Sequence, residues 1–146
     1  MSANLKGPVR TAILAASAIT DDLATYKGSP AVFTRRPIPD DAPYPCIVVE
    51  SDVDRDEDAL VTFRPVVLVD IAVYGRNDPQ GSEYRAVENI GYALRNLFHR
   101  QRWSITASGA TVIDVAARGP NAAPTDDEKT VGRVVVLQVR LREDAV

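Results

Sequence analysis

Two carboxylates on neighbouring predicted strands are the side chains best placed to do chemistry. Glu50 and Asp70 each interrupt an apolar run, and they could act as a pair if the hairpin predicted below makes them cross-strand neighbours. Paired carboxylates can serve as general acid and base in a small enzyme. The alternative is that they form ion pairs with Arg140 or another arginine, and this structural interpretation is favoured.

Other catalytic arrangements have weaker support. His99 is the only histidine, and it lies at a predicted helix end beside Arg100 and Arg102, where an exposed capping role is favoured over that of a general base. Cys46 is the only cysteine, so an internal disulfide is excluded, and its apolar neighbours predict a buried, inert thiol. The sequence has no nucleophile elbow, P-loop or dinucleotide-binding glycine motif. We therefore predict no enzymatic activity and no cofactor.

Two acidic clusters fall in predicted loop tips. The first contains Asp54, Asp56, Glu57 and Asp58, and the second contains Asp126, Asp127 and Glu128. Asp52, Asp54 and Asp56 alternate as in an EF-hand, but Glu57 stands at the glycine position and Phe63 at the bidentate glutamate position. We predict solvated tips and no metal site, with weak divalent-cation binding as the alternative.

Composition limits the class of protein. The chain has 146 residues, 45% hydrophobic and 25% charged, which predicts one globular domain over 1–146. The formal net charge of −3 argues against a general nucleic-acid binder, although basic residues at 35–36 and 99–102, followed by Trp103, leave a phosphate contact possible at one edge. No apolar run approaches the ~20 residues of a membrane helix, so we expect no membrane association and a cytoplasmic site of synthesis and assembly.

A strand over residues 65–75 organises the predicted fold. Val67, Val69, Ile71 and Val73 alternate with a second face that carries Asp70, so one face should be fully covered and the other partly wet. Residues 46–53 and 64–74 are predicted to pair as a long antiparallel hairpin with an acidic tip at 54–58.

Helices are predicted on either side of this hairpin. The first spans residues 7–27, with an apolar stripe of Val9, Ile13, Ala16, Thr20, Leu23 and Tyr26. The second starts at Asp78-Pro79 and runs to about residue 100. Its stripe is Val87, Ile90, Leu94, Leu97 and Phe98. Gly91 on the same side predicts close approach to the sheet, since a helical glycine costs ~1 kcal/mol relative to alanine.

The remaining segments complete the sheet. We predict short strands over 31–35, 102–106 and 111–117, a Pro-rich connector over 36–45, a loop over 118–130 and a final strand over 131–142. The outer face of that strand is predicted to hold Arg133, Gln138, Arg140 and Arg142. The predicted fold class is α+β: a mainly antiparallel sheet with two helices packed on one face, a long hairpin and extended loops.

The sheet face away from the helices is the candidate interaction surface. It should carry Glu50, Asp70, Gln138 and Arg140 among apolar residues. A half-apolar face with complementary charges is typical of a subunit interface. The alternative is a solvated face with cross-strand ion pairs, each contributing ~0.2–1 kcal/mol.

The order of these segments resembles the tail terminator, or tail-completion, family of tailed bacteriophages and gene transfer agents. The resemblance covers nearly the whole chain. It is carried by Ala42-Pro43-Tyr44-Pro45, Cys46-Ile47-Val48-Val49, an acidic turn, Asp70-Ile71-Ala72-Val73-Tyr74-Gly75, a helix with Ala86, Val87, Ile90, Ala93, Leu94 and Leu97, and a closing strand over 133–141. The region of Gly109 and the loop over 118–130 match the family least closely.

The resemblance implies a non-enzymatic virion protein at the head–tail junction. Members form a ring, typically of six subunits, that caps the tail tube and meets the head connector, while DNA passes through the lumen without specific binding. The expected partners are copies of the chain itself, the tail tube protein and the connector or stopper protein. The two acidic clusters are then expected to face the lumen or an axial partner.

Three alternatives remain at the level of sequence. The chain could be a connector or stopper protein of the neck, a small enzyme that uses Glu50 and Asp70, or a ligand- or nucleic-acid-binding module. Alanine substitution of both carboxylates separates the enzyme, which would lose turnover, from a ring component, which would lose assembly. Salt-dependent DNA binding would favour the nucleic-acid module.

Overall fold

The main sheet contains five strands. In spatial order these are β3 (Val32–Phe33), β4 (Cys46–Asp58), β5 (Phe63–Arg76), β7 (Thr130–Glu143) and β6 (Ala110–Ala122), and a separate two-stranded sheet pairs β1 (Thr25–Tyr26) with β2 (Ser29–Pro30). Every pairing is antiparallel except that of β3 with β4. The computed structural model describes residues 5–58, 63–77, 81–107, 109–123, 125 and 129–143, and for 51–58, 63–65, 82 and 143 it describes the backbone only. The predicted α+β class is confirmed.

The two faces of β5 differ in burial as its alternation predicts. On one face Val67, Val69, Ile71 and Val73 are at most 1% exposed. On the other, Leu68 and Asp70 are only half-buried. The first face lies in the larger hydrophobic core, together with Ile47 and Val49 of β4 and Val135, Leu137 and Val139 of β7.

The β4–β5 hairpin is longer than predicted. The two predicted segments pair, with Cys46↔Tyr74 and Glu50↔Asp70 in the ladder, and the ladder continues to Asp58↔Phe63 past an irregularity between Ser51 and Val53. Residues 54–58 therefore belong to the strand and do not form the tip. Residues 59–62 lie outside the described residues.

Helices α1 (Lys6–Leu14) and α3 (Ser82–Phe98) pack on one face of the sheet, as predicted. Helix α3 buries Val87, Ile90, Leu94 and Phe98 completely. Gly91 faces Pro120 of β6 so closely that a Cβ there would lie 2.7 Å from the Pro120 Cβ. The glycine thus allows the close helix–sheet approach that its position predicted.

The predicted single helix over 7–27 is wrong. Helix α1 ends at Leu14, Ala16 is extended (φ −97°, ψ 98°), and a short α2 (Ser17–Thr20) follows before the β1–β2 hairpin. The break has a packing reason. Ile13 and Ile19 are both buried, yet on a continuous helix they would lie roughly 120° apart. The break rotates Ile19, rather than the predicted Thr20, into the core.

Helix α3 also begins later than predicted. Strand β5 stays paired with β7 to Arg76↔Thr130, and the Asn77 N–H then donates to the Lys129 carbonyl at 2.7 Å. The helix starts at Ser82, after Gly81 in a left-handed conformation (φ 70°). The predicted cap at Asp78-Pro79 lies outside the described residues.

Two segments near residues 102 and 118 differ from their predictions. The predicted strand over 102–106 contains instead a 3-10 helix, Arg102–Ser104, in which the Ser104 N–H and hydroxyl both donate to the Gln101 carbonyl. The predicted loop over 118–130 is shorter, because β6 continues to Ala122. A register irregularity between Arg118 and Asn121 takes up Gly119 and Pro120 within the strand.

Arg133 lies on the helix side of the sheet and not on the predicted outer face. It shares the face of Val135 and Leu137, donates to the Tyr84 hydroxyl at 2.5 Å and pairs with Glu88 at 3.6 Å. Tyr84 and Glu88 of α3 therefore provide polar partners for Arg133 on the helix side of the sheet. The pattern of the strand alone does not predict these partners.

Gly119→Ala should destabilise the fold strongly. Gly119 has φ 109°, and an added Cβ would lie 2.6 Å from the Val134 carbonyl oxygen, which is rigid backbone. We expect a loss of about 3 kcal/mol in the free energy of unfolding, measured by urea denaturation. Gly109→Ala is the matched control, because Gly109 (φ 74°) has open space around it and should lose about 1 kcal/mol. Equal losses would contradict the backbone clash.

Candidate assembly interface

The sheet face opposite the helices, here called the second face, is covered at one end only. At that end, Cys46, Val48, Ala72 and Tyr74 form a second, smaller hydrophobic cluster. Side chains from the N-terminal region pack over it. The covering side chains are Tyr26, Phe33, Ile38 and Tyr44. Beyond this cover, in the described part of the chain, the second face carries no helix and remains accessible.

The predicted interface residues do come together on this face. Glu50 lies opposite Asp70 in the β4–β5 ladder, Asp70 lies opposite Val136 of β7, and Gln138 lies opposite Leu68. Arg140 lies opposite Val66 and is exposed. The accessible end is thus a mixed surface of half-buried apolar side chains with carboxylates towards β4 and an arginine on β7.

Arg36 of the Pro-rich connector links the covered and accessible ends. Its Nε donates to Glu50 Oε1 in an ion pair, and its Nη2 donates to the Tyr74 hydroxyl at 2.8 Å. Burial by itself would lower the pKa of the Arg36 guanidinium, but the hydrogen bonds to Tyr74 and Glu50 outweigh that effect and raise it. Glu50 therefore pairs with an arginine, as the structural interpretation predicted, although the arginine is Arg36 and not Arg140.

The depression around Glu50 and Asp70 is small. It has a volume of about 220 Å³, and its walls include Val48, Ala72 and Val134. Small-molecule sites usually enclose roughly 300–1,000 Å³. With Glu50 held by Arg36, the depression suits a single side chain of a partner better than a substrate. Among the described residues, no three His, Cys, Asp or Glu side chains converge into a group able to hold a metal ion.

The two acidic clusters cannot be assigned to this face. Asp54, Asp56, Glu57 and Asp58 belong to β4, where the structure describes only the backbone, and Asp126, Asp127 and Glu128 lie outside the described residues. Their orientation towards a lumen or an axial partner remains a prediction.

The two residues that follow α3 attach the helix end to the edge strand β6. The Arg100 N–H donates to the Val115 carbonyl at 2.8 Å, and the Ala117 N–H donates to His99 Nδ1 at 3.1 Å. The Arg100 guanidinium also pairs with Asp114 at 2.5 Å. His99 is half-buried rather than exposed, and it serves to join the helix end to β6.

The other edge of the sheet stays open over most of its length. Strand β3 pairs only with Ile47 and Val48, so no described strand flanks β4 from Val49 onward. An open strand edge can accept a further chain through its backbone groups.

Trp103 is the most exposed large apolar side chain that the structure describes, at 78%. The Arg102 guanidinium stacks on its ring at 4.0 Å from the centroid. In the sequence, this pair stands out only as part of a short basic patch. Tryptophan and arginine are enriched at the energetic centres of protein interfaces, so the pair also fits a protein contact.

The fold is shared with a virion protein. No protein-family model and no curated protein matches the sequence. Among solved structures, a chain of the "Virion of native gene transfer agent (GTA) particle" superposes with a TM-score of 0.69 and 14% identity, covering 97% of this chain and 95% of that chain. At this identity the likeness establishes the fold, over nearly the full length of both chains. No described helix has the length and apolar character to cross a membrane.

Arg36→Met should destabilise the chain, whereas its neighbour Arg35→Met should not. The first change keeps the apolar stem of Arg36 but removes the hydrogen bonds to Glu50 and Tyr74, so we expect a loss of about 1–2 kcal/mol in urea denaturation. Arg35 is exposed, and its substitution should stay within about 0.5 kcal/mol. Equal effects would show that the Arg36 contacts do not hold the connector on the sheet.

The Cys46 thiol should react only when the chain unfolds. Cys46 is fully buried, and burial raises the pKa of its thiol to about 12, against a small lowering by Arg36. The unfolded thiol ionises near pH 9 while the folded one stays neutral, so stability should fall as pH rises from about 9 to about 12. Iodoacetamide labelling with and without urea tests the burial. Cys46→Ala should remove this part of the pH dependence of stability. Rapid labelling of the folded protein would contradict the burial of the thiol.

Proposed function

We propose that this chain is a structural subunit of a phage-like virion or gene transfer agent particle, which assembles into a ring that ends the tail tube and joins it to the head connector. The observation that carries the proposal is the fold shared with a gene transfer agent virion chain over 97% of this chain. The ring is expected to be hexameric, as the family resemblance implies.

The surface of the subunit supports a role in assembly. The second face combines half-buried Leu68 and Val136 with exposed Arg140, and no described strand flanks β4 beyond Val48. A ring built from identical subunits needs two different patches that meet head to tail. The second face is proposed as one of these patches. Trp103, stacked under Arg102, is proposed as an anchor for a second protein, either the tail tube protein or the connector.

The acidic clusters fit a conduit for DNA. We propose that residues 54–58 or 126–128 face the lumen or an axial partner, where carboxylates would repel phosphates and keep DNA from binding as it passes. The net charge of −3 is consistent with this absence of DNA affinity. Particle assembly would take place in the host cytoplasm, with the mature protein located in the virion.

A neck connector or stopper is the nearest alternative, because such a protein shares the virion location and the need for a ring. Particles lacking the protein separate the two roles. A missing terminator leaves tail tubes without a defined end, whereas a missing stopper leaves complete tails and heads that lose their DNA. The enzyme alternative is disfavoured by the small depression and by the pairing of Glu50 with Arg36.

Arg140→Glu should block ring formation, and Arg95→Glu should not. Both arginines are exposed, but Arg140 lies on the second face and Arg95 on α3, so the same charge reversal is made on opposite layers of the fold. We expect the first variant to lose rings in negative-stain images, with isolated tail tubes included as template, and to keep the wild-type circular dichroism spectrum. Intact rings in Arg140→Glu would remove the second face from the subunit contact, and absence of rings on wild-type tubes would overturn the proposed function.

A further inference from the structure

A basic groove runs beside β3. It has a volume of about 730 Å³, and its walls come from the start of α1, from β3 and from the chain that follows β3. The walls contain Lys6, Arg10 and Arg35, together with apolar Pro37 and Pro39, and none of the described residues that line the groove is acidic. Such a groove attracts carboxylates, because low-dielectric walls concentrate the field of the three cations.

The groove meets the edge of β3 and not one of its faces. Residues 32–35 all line it. Val32 nevertheless packs into the larger core, whereas Phe33 packs into the smaller cluster on the second face. Because successive side chains of a strand point to opposite faces, a groove that contacts both residues must run along the edge between the faces. Strand β4 occupies the other edge, where the Ile47 N–H donates to the Ala31 carbonyl at 2.9 Å.

Val32 presents a backbone acceptor on the groove side of β3. Because the Ala31 carbonyl points to β4, the carbonyl of the next residue points the opposite way. The Arg10 Nε donates to this Val32 carbonyl at 3.2 Å, which holds the guanidinium in the groove wall. Strand β3 is the last strand of the sheet in the described part of the chain, so no described strand pairs with it on this side. An edge of this kind can accept a further chain through its backbone groups.

We propose that the groove binds an extended acidic segment of a partner protein, which lies along the edge of β3 with its carboxylates against Lys6, Arg10 and Arg35. Basic residues at a strand edge disfavour pairing with a neutral or basic strand and favour an acidic one. A single-stranded nucleic acid fits the groove less well, because base stacking needs an accessible ring face. The Phe33 ring instead packs edge-to-face with Tyr26, with 5.3 Å between their centroids. The proposal goes beyond the tail role and does not depend on it.

Fluorescence anisotropy with a synthetic peptide tests this binding. The probe is a fluorescein-labelled peptide of about six residues in which glutamate alternates with valine, roughly 20 Å long when extended. Titration with the full-length protein at about 0.05 M salt should show saturable binding that weakens as salt is added. The same peptide with glutamine in place of glutamate should bind at least about tenfold more weakly, because it lacks the charges that the groove attracts.

Variants of Arg35 test whether the peptide binds in the groove. Arg35→Glu should weaken binding of the acidic peptide at least about tenfold, whereas Arg35→Lys keeps the charge and should retain most of the binding. Arg95→Glu reverses an exposed charge on α3 and should leave binding unchanged. Circular dichroism spectra that match the wild type establish that each variant is folded.

Backbone methylation of the peptide tests the strand pairing. In an extended peptide, alternate backbone amides point to opposite edges, and only one edge can pair with β3. N-methylation of the amides on one edge should therefore abolish binding, and N-methylation of those on the other edge should not. Both methylated peptides keep all of the glutamates, so charge attraction alone cannot produce the difference.

The remaining outcomes overturn the proposal. These are absence of binding to the wild type, equal binding of the glutamine peptide or by Arg35→Glu, and equal effects of methylation on the two edges. DNA that binds more tightly than the peptide, and is lost in Arg35→Glu, would assign the groove to phosphates. Self-association that Arg35→Glu abolishes, without peptide binding, would assign it to another copy of the chain. Capping of tail tubes is measured separately, so the tail role stands or falls independently of these results.

Discussion

The pairing of β5 on both sides is the constraint on which the rest of the structure depends. The backbone of β5 is hydrogen-bonded to β4 along one side and to β7 along the other, so the three strands share one sheet. Val67, Val69 and Ile71 then point to a single side, where they are fully buried. Helices α1 and α3 follow from that burial, because their apolar stripes can leave water only on this face.

Unequal cover is what makes the second face a candidate interface. The connector and the N-terminal segments cover one end of this face with Tyr26, Phe33 and Tyr44. At the boundary of the covered area, Arg36 donates hydrogen bonds to Glu50 and Tyr74. The other end keeps half-buried apolar side chains between charged ones. The two edge strands also differ: Arg100 and His99 hydrogen-bond to Val115 and Ala117 of β6, whereas no described strand flanks β4 beyond Val48.

Much of the fold and part of the site could be predicted from the sequence. Alternation identified β5, its two faces and its antiparallel partner β4, and the structure then placed Glu50 opposite Asp70. The spacing of Val87, Ile90 and Leu94 defined the buried face of α3, and Gly91 correctly indicated a close approach, here to Pro120. Such features depend on local periodicity, which a pattern of two or 3.6 residues records directly.

The sequence alone determined the faces of the long elements, and the tertiary structure decided where those elements end and what their polar residues pair with. The break after the first helix places Ile19 in the core, and pairing with β7 extends β6 past Pro120. Arg133 hydrogen-bonds to Tyr84 and pairs with Glu88, and Arg36 pairs with Glu50. The partners in each contact are far apart in the sequence. These outcomes have one physical reason: they are settled by contacts between distant segments, whose energies outweigh the small local preferences of about 1 kcal/mol or less per residue.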